Sequence, residues 1–197
     1  MIHSFRAASV TFMGVMAVSA CTSIPLTSLP KLAGLDAMTL DPADIEVAVG
    51  FQDGLALNDE AVMLEFEFTN GVSGERLGGS FPLEPLPGAL TPFLAKKATN
   101  GQSILRFGLT NEQAGVIRAA RSEAKTWPKQ PDQQHSLSFS AEAKPCLTKD
   151  GNPFRAHRFS VYLRSDPDEE FFTMVKNKRL KLNDDGTGLQ PCDETPS

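Results

Sequence analysis

The chain is poor in the residues that usually announce chemistry. Among its 197 residues there are three histidines, three cysteines, one tyrosine and one tryptophan. No His-x-x-x-His or Cys-x-x-Cys spacing occurs, so a zinc site would have to be assembled from residues far apart in sequence. A Gly-x-Ser-x-Gly elbow is missing, and Gly71-Val72-Ser73-Gly74 lacks the strand-to-helix setting that exposes a nucleophile. A glycine-rich phosphate loop is missing too, and no cofactor motif takes its place. Positive charge is in deficit: 19 Lys and Arg against 24 Asp and Glu leave a formal net charge of −5. That balance argues against nucleic acid, whose affinity comes mainly from neutralised phosphates. Thirteen phenylalanines suit a core, while the single Tyr and Trp offer no stacking platform for bases or sugars. Long apolar runs are missing as well. The most apolar stretch, Ala7 to Val18, is interrupted by Ser9 and Thr11. A helix over Ala7–Ala20 would rise only ~21 Å, short of the ~30 Å of a hydrocarbon core.

What is there begins with that stretch. Met1 to Arg6 forms a short, mildly basic segment ahead of it, the layout of an export signal. Val18-Ser19-Ala20-Cys21 follows, and this run resembles the lipobox of bacterial lipoproteins: an apolar residue, two small residues and a cysteine. The resemblance covers residues 1–21. It implies that the Cys21 thiol receives a diacylglycerol, that a peptidase cuts before Cys21, and that the new amino group is acylated. Each buried CH₂ contributes ~0.8 kcal/mol and one chain is a marginal anchor, so two or three chains would hold the protein durably on membrane lipid. Thr22 in place of the aspartate that retains lipoproteins on the inner membrane of enteric bacteria favours the periplasmic face of the outer membrane. The alternative is an ordinary secretory peptide cut after Ala20, because Val18 and Ala20 also satisfy the small-x-small rule.

With Cys21 assigned to lipid, Cys146 and Cys192 remain, an even pair in an oxidising compartment. A disulfide is the natural reading, with two buried free thiols as the alternative. Residues 1–20 are thus expected to be signal, 21–41 a tether, and 42–197 a single β-rich domain of ample size for its own core. Within the tether, Leu26, Leu29, Leu32, Leu35 and Met38 recur every third residue, with Pro25 and Pro30 among them. That composition suits a segment lying extended on the domain or on lipid better than a Gly/Ser leash.

The domain reads as strands with one helix. Ile45–Val49 and Val62–Phe68 are strand-like, and in the second Leu64, Phe66 and Phe68 alternate with Glu65 and Glu67, the pattern of a half-buried antiparallel strand. Asp53-Gly54 and Asn70-Gly71 mark turns. Phe81 to Leu86 can extend, but Pro82, Pro85 and Pro87 confine it to a sheet edge. Asn100-Gly101 between Phe93–Thr99 and Gln102–Leu109 predicts a hairpin, with a short helix capped at Thr91-Pro92 as second choice. The helix over about 110–126 is better specified. Thr110 and Gln113 form a capping box, Leu109 can staple to Ala114, and Ala114, Ile117, Ala120 and Ala124 share a face that ends before Trp127-Pro128. Leu137, Phe139 and Ala141 alternate in one further strand. After a turn at Asp150-Gly151-Asn152-Pro153, Phe159, Val161 and Leu163 alternate in a return strand. Phe171–Val175, and with it 171–176, is read as strand. The expected fold is α+β and β-dominated, an antiparallel sheet or sandwich carrying one main helix.

Candidate chemistry is thin. His135 and His157 survive removal of the signal, and His157 reads as a surface or turn histidine. Asn183-Asp184-Asp185-Gly186-Thr187-Gly188, running on to Glu194, resembles a calcium loop of the EF-hand kind. It lacks the first aspartate and flanking helices and contains Cys192, so a solvated turn is preferred and no metal is assigned. Arg118, Arg121 and Lys125 form a stripe that reads as a solvated helix face. The expectation is therefore an envelope lipoprotein without catalytic residues or cofactor, partnered by membrane lipid through Cys21 and by an envelope protein, in a binding or structural role. A lipid or small-ligand carrier is the alternative, and an envelope hydrolase the third.

Overall fold

A computed structural model describes residues 39–98, 102–128, 136–152, 156–180 and 189–192. Residues 1–38, with Cys21 and the leucine-spaced run, as well as His135 and the loop from Asn183, lie outside them. A 3-10 turn at Pro42–Asp44 leads into β1 (Glu46–Gln52), β2 (Leu55–Thr69), β3 (Arg76–Pro82), β4 (Glu84–Pro85), α1 (Pro92–Lys97), β5 (Gln102–Gly108), α2 (Asn111–Ala124), β6 (Ser136–Leu147), β7 (His157–Arg164) and β8 (Phe172–Leu180). The strands form two antiparallel sheets, five-stranded in the order β4-β5-β1-β7-β8 and three-stranded in the order β3-β2-β6. With one main helix, this is the β-dominated α+β architecture that the patterning predicts.

The strand β2 explains how the layers are joined. Its even-numbered side chains Val62, Leu64, Phe66 and Phe68 are all buried, while Glu65 is exposed. The first two pack with Val47, Val49, Val161 and Leu163 of the larger sheet, forming the main core. Phe66 and Phe68 lie beyond that sheet and meet Ile117, Ala124 and Trp127 of α2 and the residues after it. One apolar face of a single strand therefore serves two layers, a sheet and then a helix. Burying each of these side chains stabilises the fold by ~1.5–3 kcal/mol.

The helix α2 begins as its sequence dictates. The Thr110 hydroxyl accepts from the Gln113 N–H at 3.1 Å, and Gln113 Oε1 accepts from the Thr110 N–H at 2.9 Å. Gln113 Nε2 also donates to the Pro82 carbonyl at 2.8 Å, which ties the cap to β3. Ala114, Ile117 and Ala124 are buried on the inner face.

The prolines act as expected. β3 and β4 are each the edge strand of their own sheet, and the chain crosses between the sheets at buried Leu83, whose N–H donates to the Val62 carbonyl at 2.8 Å. Gly78 is what allows β3 to lie against β2: its φ is +153°, and a Cβ there would fall 1.9 Å from the Phe66 carbonyl oxygen.

Two expectations are corrected. Residues 92–97 are helical, so no hairpin forms across Asn100-Gly101; the Thr91 hydroxyl accepts from the Leu94 N–H at 3.4 Å and Pro92 opens the first turn, which outweighs the turn signal. β7 does not return against β6 but inserts between β1 and β8, because Val161 and Leu163 complete the core face of the larger sheet. The turn expected at Asp53-Gly54 forms, with Gly54 at φ +90°. It carries the chain from one sheet to the other.

Candidate functional site

Two ends of the sandwich concentrate the polar structure. The first is where the chain enters the sheets. Leu40 packs against the main core, and its carbonyl accepts a hydrogen bond from Arg121 Nη1. Arg118 Nε and Nη2 both donate to Asp41 Oδ1, at 3.1 and 2.7 Å, and the same oxygen accepts from the Ala43 N–H at 3.0 Å. That backbone donor, with Arg118 and Arg121 beside it, holds the Asp41 carboxyl below its usual range against the opposing effect of desolvation. The stripe on α2 therefore corrects its expected role. Two of its three cations clamp residues 40–41 onto the helix, and only Lys125 faces solvent in the expected way.

Glu46, the first residue of β1, stands at the same end. Arg106 Nε and Nη2 donate to its Oε2 at 3.0 and 2.8 Å, and Arg164 Nη2 donates to Oε1 at 2.5 Å. All three side chains are 12–15% exposed. Arg106 Nη1 reaches the Ala89 carbonyl, Arg164 Nη1 the Pro167 carbonyl, and the Arg164 guanidinium lies 5.0 Å from the Phe171 ring. This triad, of net charge +1, welds β5, β1 and β7 side by side. Its members are 60 and 118 residues from Glu46 in sequence, and no motif connects them. Nearby on the same sheet, burial pushes the Tyr162 hydroxyl above its usual pKa, opposed by a hydrogen bond with Ser160.

The second end lies one strand length away, about 23 Å along β1. There Cys146, the penultimate residue of β6, is joined to Cys192 by a disulfide. The Leu147 N–H donates to the Gln190 carbonyl and the Cys192 N–H donates to the Leu147 carbonyl, both at 2.8 Å. Leu189 is buried against the main core. Residues 189–192 thus run parallel beside the end of β6, joined to it by a bridge between Pro191 and Leu147.

His157 belongs to this end and is buried, where a surface or turn histidine is expected; the turn half of that expectation is met by its contact with residues 148–152. It is 2% exposed, and its Nε2 donates to the Asn152 carbonyl at 2.9 Å. Its Cε1 would lie 3.3 Å from a Cβ placed on Gly54, whose φ is +90°, and Gly151 has even less room. The histidine is a strut between the 148–152 turn and the 53–54 turn.

Among the described residues, no three His, Cys, Asp or Glu side chains gather where they could hold a metal ion, and no helix is long and apolar enough to cross a membrane. Gly71–Gly74 forms the β2–β3 turn, in which Asn70 Oδ1 accepts from the Val72 and Ser73 N–H groups at 2.9 and 3.3 Å. What the geometry offers is a rigid body with a fastened point of chain entry and a stapled far end. Set against known protein families, curated proteins and solved structures, the chain matches none of them.

Proposed function

We propose that this protein is a lipid-anchored component of the bacterial envelope whose β-rich body has a binding or structural role rather than a catalytic one. The observation that carries the reading is the run Val18-Ser19-Ala20-Cys21 behind a short apolar segment. It is supported by the way the body receives its N-terminal segment. In this reading the chain arriving from Cys21 meets the body at Leu40 and Asp41, where Arg121 and Arg118 hydrogen-bond to it. A non-catalytic role is supported by His157, which is engaged in holding two turns together.

The test is metabolic labelling with radioactive palmitate in a bacterial host. The mature protein is expected to carry label and to fractionate with membranes, and the Cys21→Ser variant to lose both. An unlabelled wild type, or a Cys21→Ser variant that stays with the membrane, overturns the anchor.

A further inference from the structure

We propose that the basic corner at the far end of the larger sheet docks a carboxylate-bearing polymer of the envelope, the murein layer. The corner is formed by Arg158 of β7 and Lys176, Lys178 and Arg179 of β8, all exposed. Arg158 and Arg179 are directly opposite each other in the β7–β8 ladder. Like charges so placed repel and destabilise the pair, so their juxtaposition calls for an anion between or above them. Two arginines paired across a ladder can both reach one carboxylate, each with the planar donor fork that suits it. None of the ion pairs among the described residues involves any of these four cations. Lys178 rests its ammonium 5.8 Å from the Phe159 ring instead. The local backbone is held in an irregular course: the β7–β8 register shifts here, Asn177 has φ +49°, and its N–H donates to Ser160 Oγ at 3.0 Å. This bulge gathers three cations into four residues on a sheet edge.

Two observations select the partner. Protein partners dock through buried aromatic or aliphatic anchors, and among the described residues the large exposed hydrophobic ones, Val72, Leu105 and Val116, all lie off β7 and β8. Four exposed cations on two neighbouring strands suit a polyanion with repeated acidic groups. The corner is also at the opposite end of the sheet from Asp41, since Phe51 pairs with Phe159 while Glu46 pairs with Arg164. A body fastened at Asp41 to a tether from its own membrane presents this corner outward, to what lies beyond.

The inference rests on the envelope reading, because it places murein within reach. Its test does not need the lipid. The purified full chain carrying Cys21→Ser is sedimented with murein sacculi and, separately, with vesicles of anionic phospholipid. Sedimentation with sacculi is expected at low ionic strength, with loss as salt screens the contact. R158E/R179E in the same background is expected to lower the bound fraction about tenfold or more, and K176Q/K178Q to lower it by a smaller factor should the first variant misfold. R158K/R179K should retain part of the binding. A parent chain that does not sediment with sacculi, or folded charge variants that bind as well as the parent, overturn the proposal. So does a charge-dependent difference seen with vesicles alone, which would assign the corner to lipid. Aggregation of the variants without any binding by the parent would also overturn it, leaving the cations as guards of an open sheet edge. Palmitate labelling is read independently, so failure here and failure of the anchor are distinguishable.

Discussion

Removing the bridge between Cys146 and Cys192 should lower stability by an amount the topology fixes. The two cysteines are 46 residues apart. Closing a loop of that length costs the unfolded chain ~13.5 cal/mol/K on the chain-entropy relation, or about 4 kcal/mol at 25 °C. For a chain of this size each kcal/mol moves the melting temperature by ~2–4 °C, so C146S/C192S should melt about 8–16 °C lower. A second contribution has the same sign. Residues 189–192 are held by two backbone hydrogen bonds to Leu147 and by Leu189 in the core, and a tail released from its staple gives up part of that burial. The assay is thermal unfolding followed by circular dichroism in a Cys21→Ser background, with and without a dithiol reductant. Reductant should shift the parent and leave the double variant unmoved. A double variant melting within ~2 °C of the parent would refute the reasoning, because the loop would then be constrained by something else. Alkylation of both thiols in unreduced, denatured protein would remove the bridge altogether.

The remaining predictions concern packing and charge. Glu46→Gln leaves the Arg106 and Arg164 guanidiniums, 15% and 12% exposed, without their counter-charge and should cost about 2–4 kcal/mol in urea unfolding; a loss below ~0.5 kcal/mol would mean that solvent already screens the triad. Gly78→Ala drives a Cβ into the Phe66 carbonyl at a φ few side chains tolerate, and should destabilise by ~3 kcal/mol or abolish folding; a neutral result would show that β3 is not held against β2 as described.

Much of the element content was legible because local rules and burial agree. In β2, Leu64, Phe66 and Phe68 alternate with acids and all three are buried. Thr110 and Gln113 form both hydrogen bonds of their capping box. The prolines at 82 and 85 fall on edge strands, and Phe172–Val175 pairs as part of β8. What failed was whatever depends on partners distant in sequence. Asn100-Gly101 reads as a hairpin only if Phe93 and Leu94 are taken for a strand, and it is the larger sheet that instead buries Leu94 against Ala48 and Tyr162. β6 and β7 are neighbours along the chain yet share no sheet, since a core shared by two sheets lets consecutive strands separate. Arg76–Ser80 carries Gly78, Gly79 and Ser80, poor strand formers, and pairs because β2 offers an open edge. At the candidate sites, the bridge of Cys146 and Cys192 was countable from composition. The clamp on Asp41, the burial of His157 and the Glu46 triad were not, because each is a meeting of segments that no spacing rule connects.

The body takes its N-terminal segment at one end of the sheets and is stapled to its C-terminal segment at the other. A pull between Asp41 and Cys192 therefore runs along the strands. Tension enters β1 at Glu46 and leaves through β6 at Cys146, so that each ladder is loaded in shear and its hydrogen bonds share the force together instead of parting one by one from an end. The bridge also closes off residues 147–191 as a route for extension, leaving the shorter path through Cys146 to bear the load. Mechanical resistance of this kind is a property of where a chain is held, and the Arg118 and Cys146 contacts fix both points.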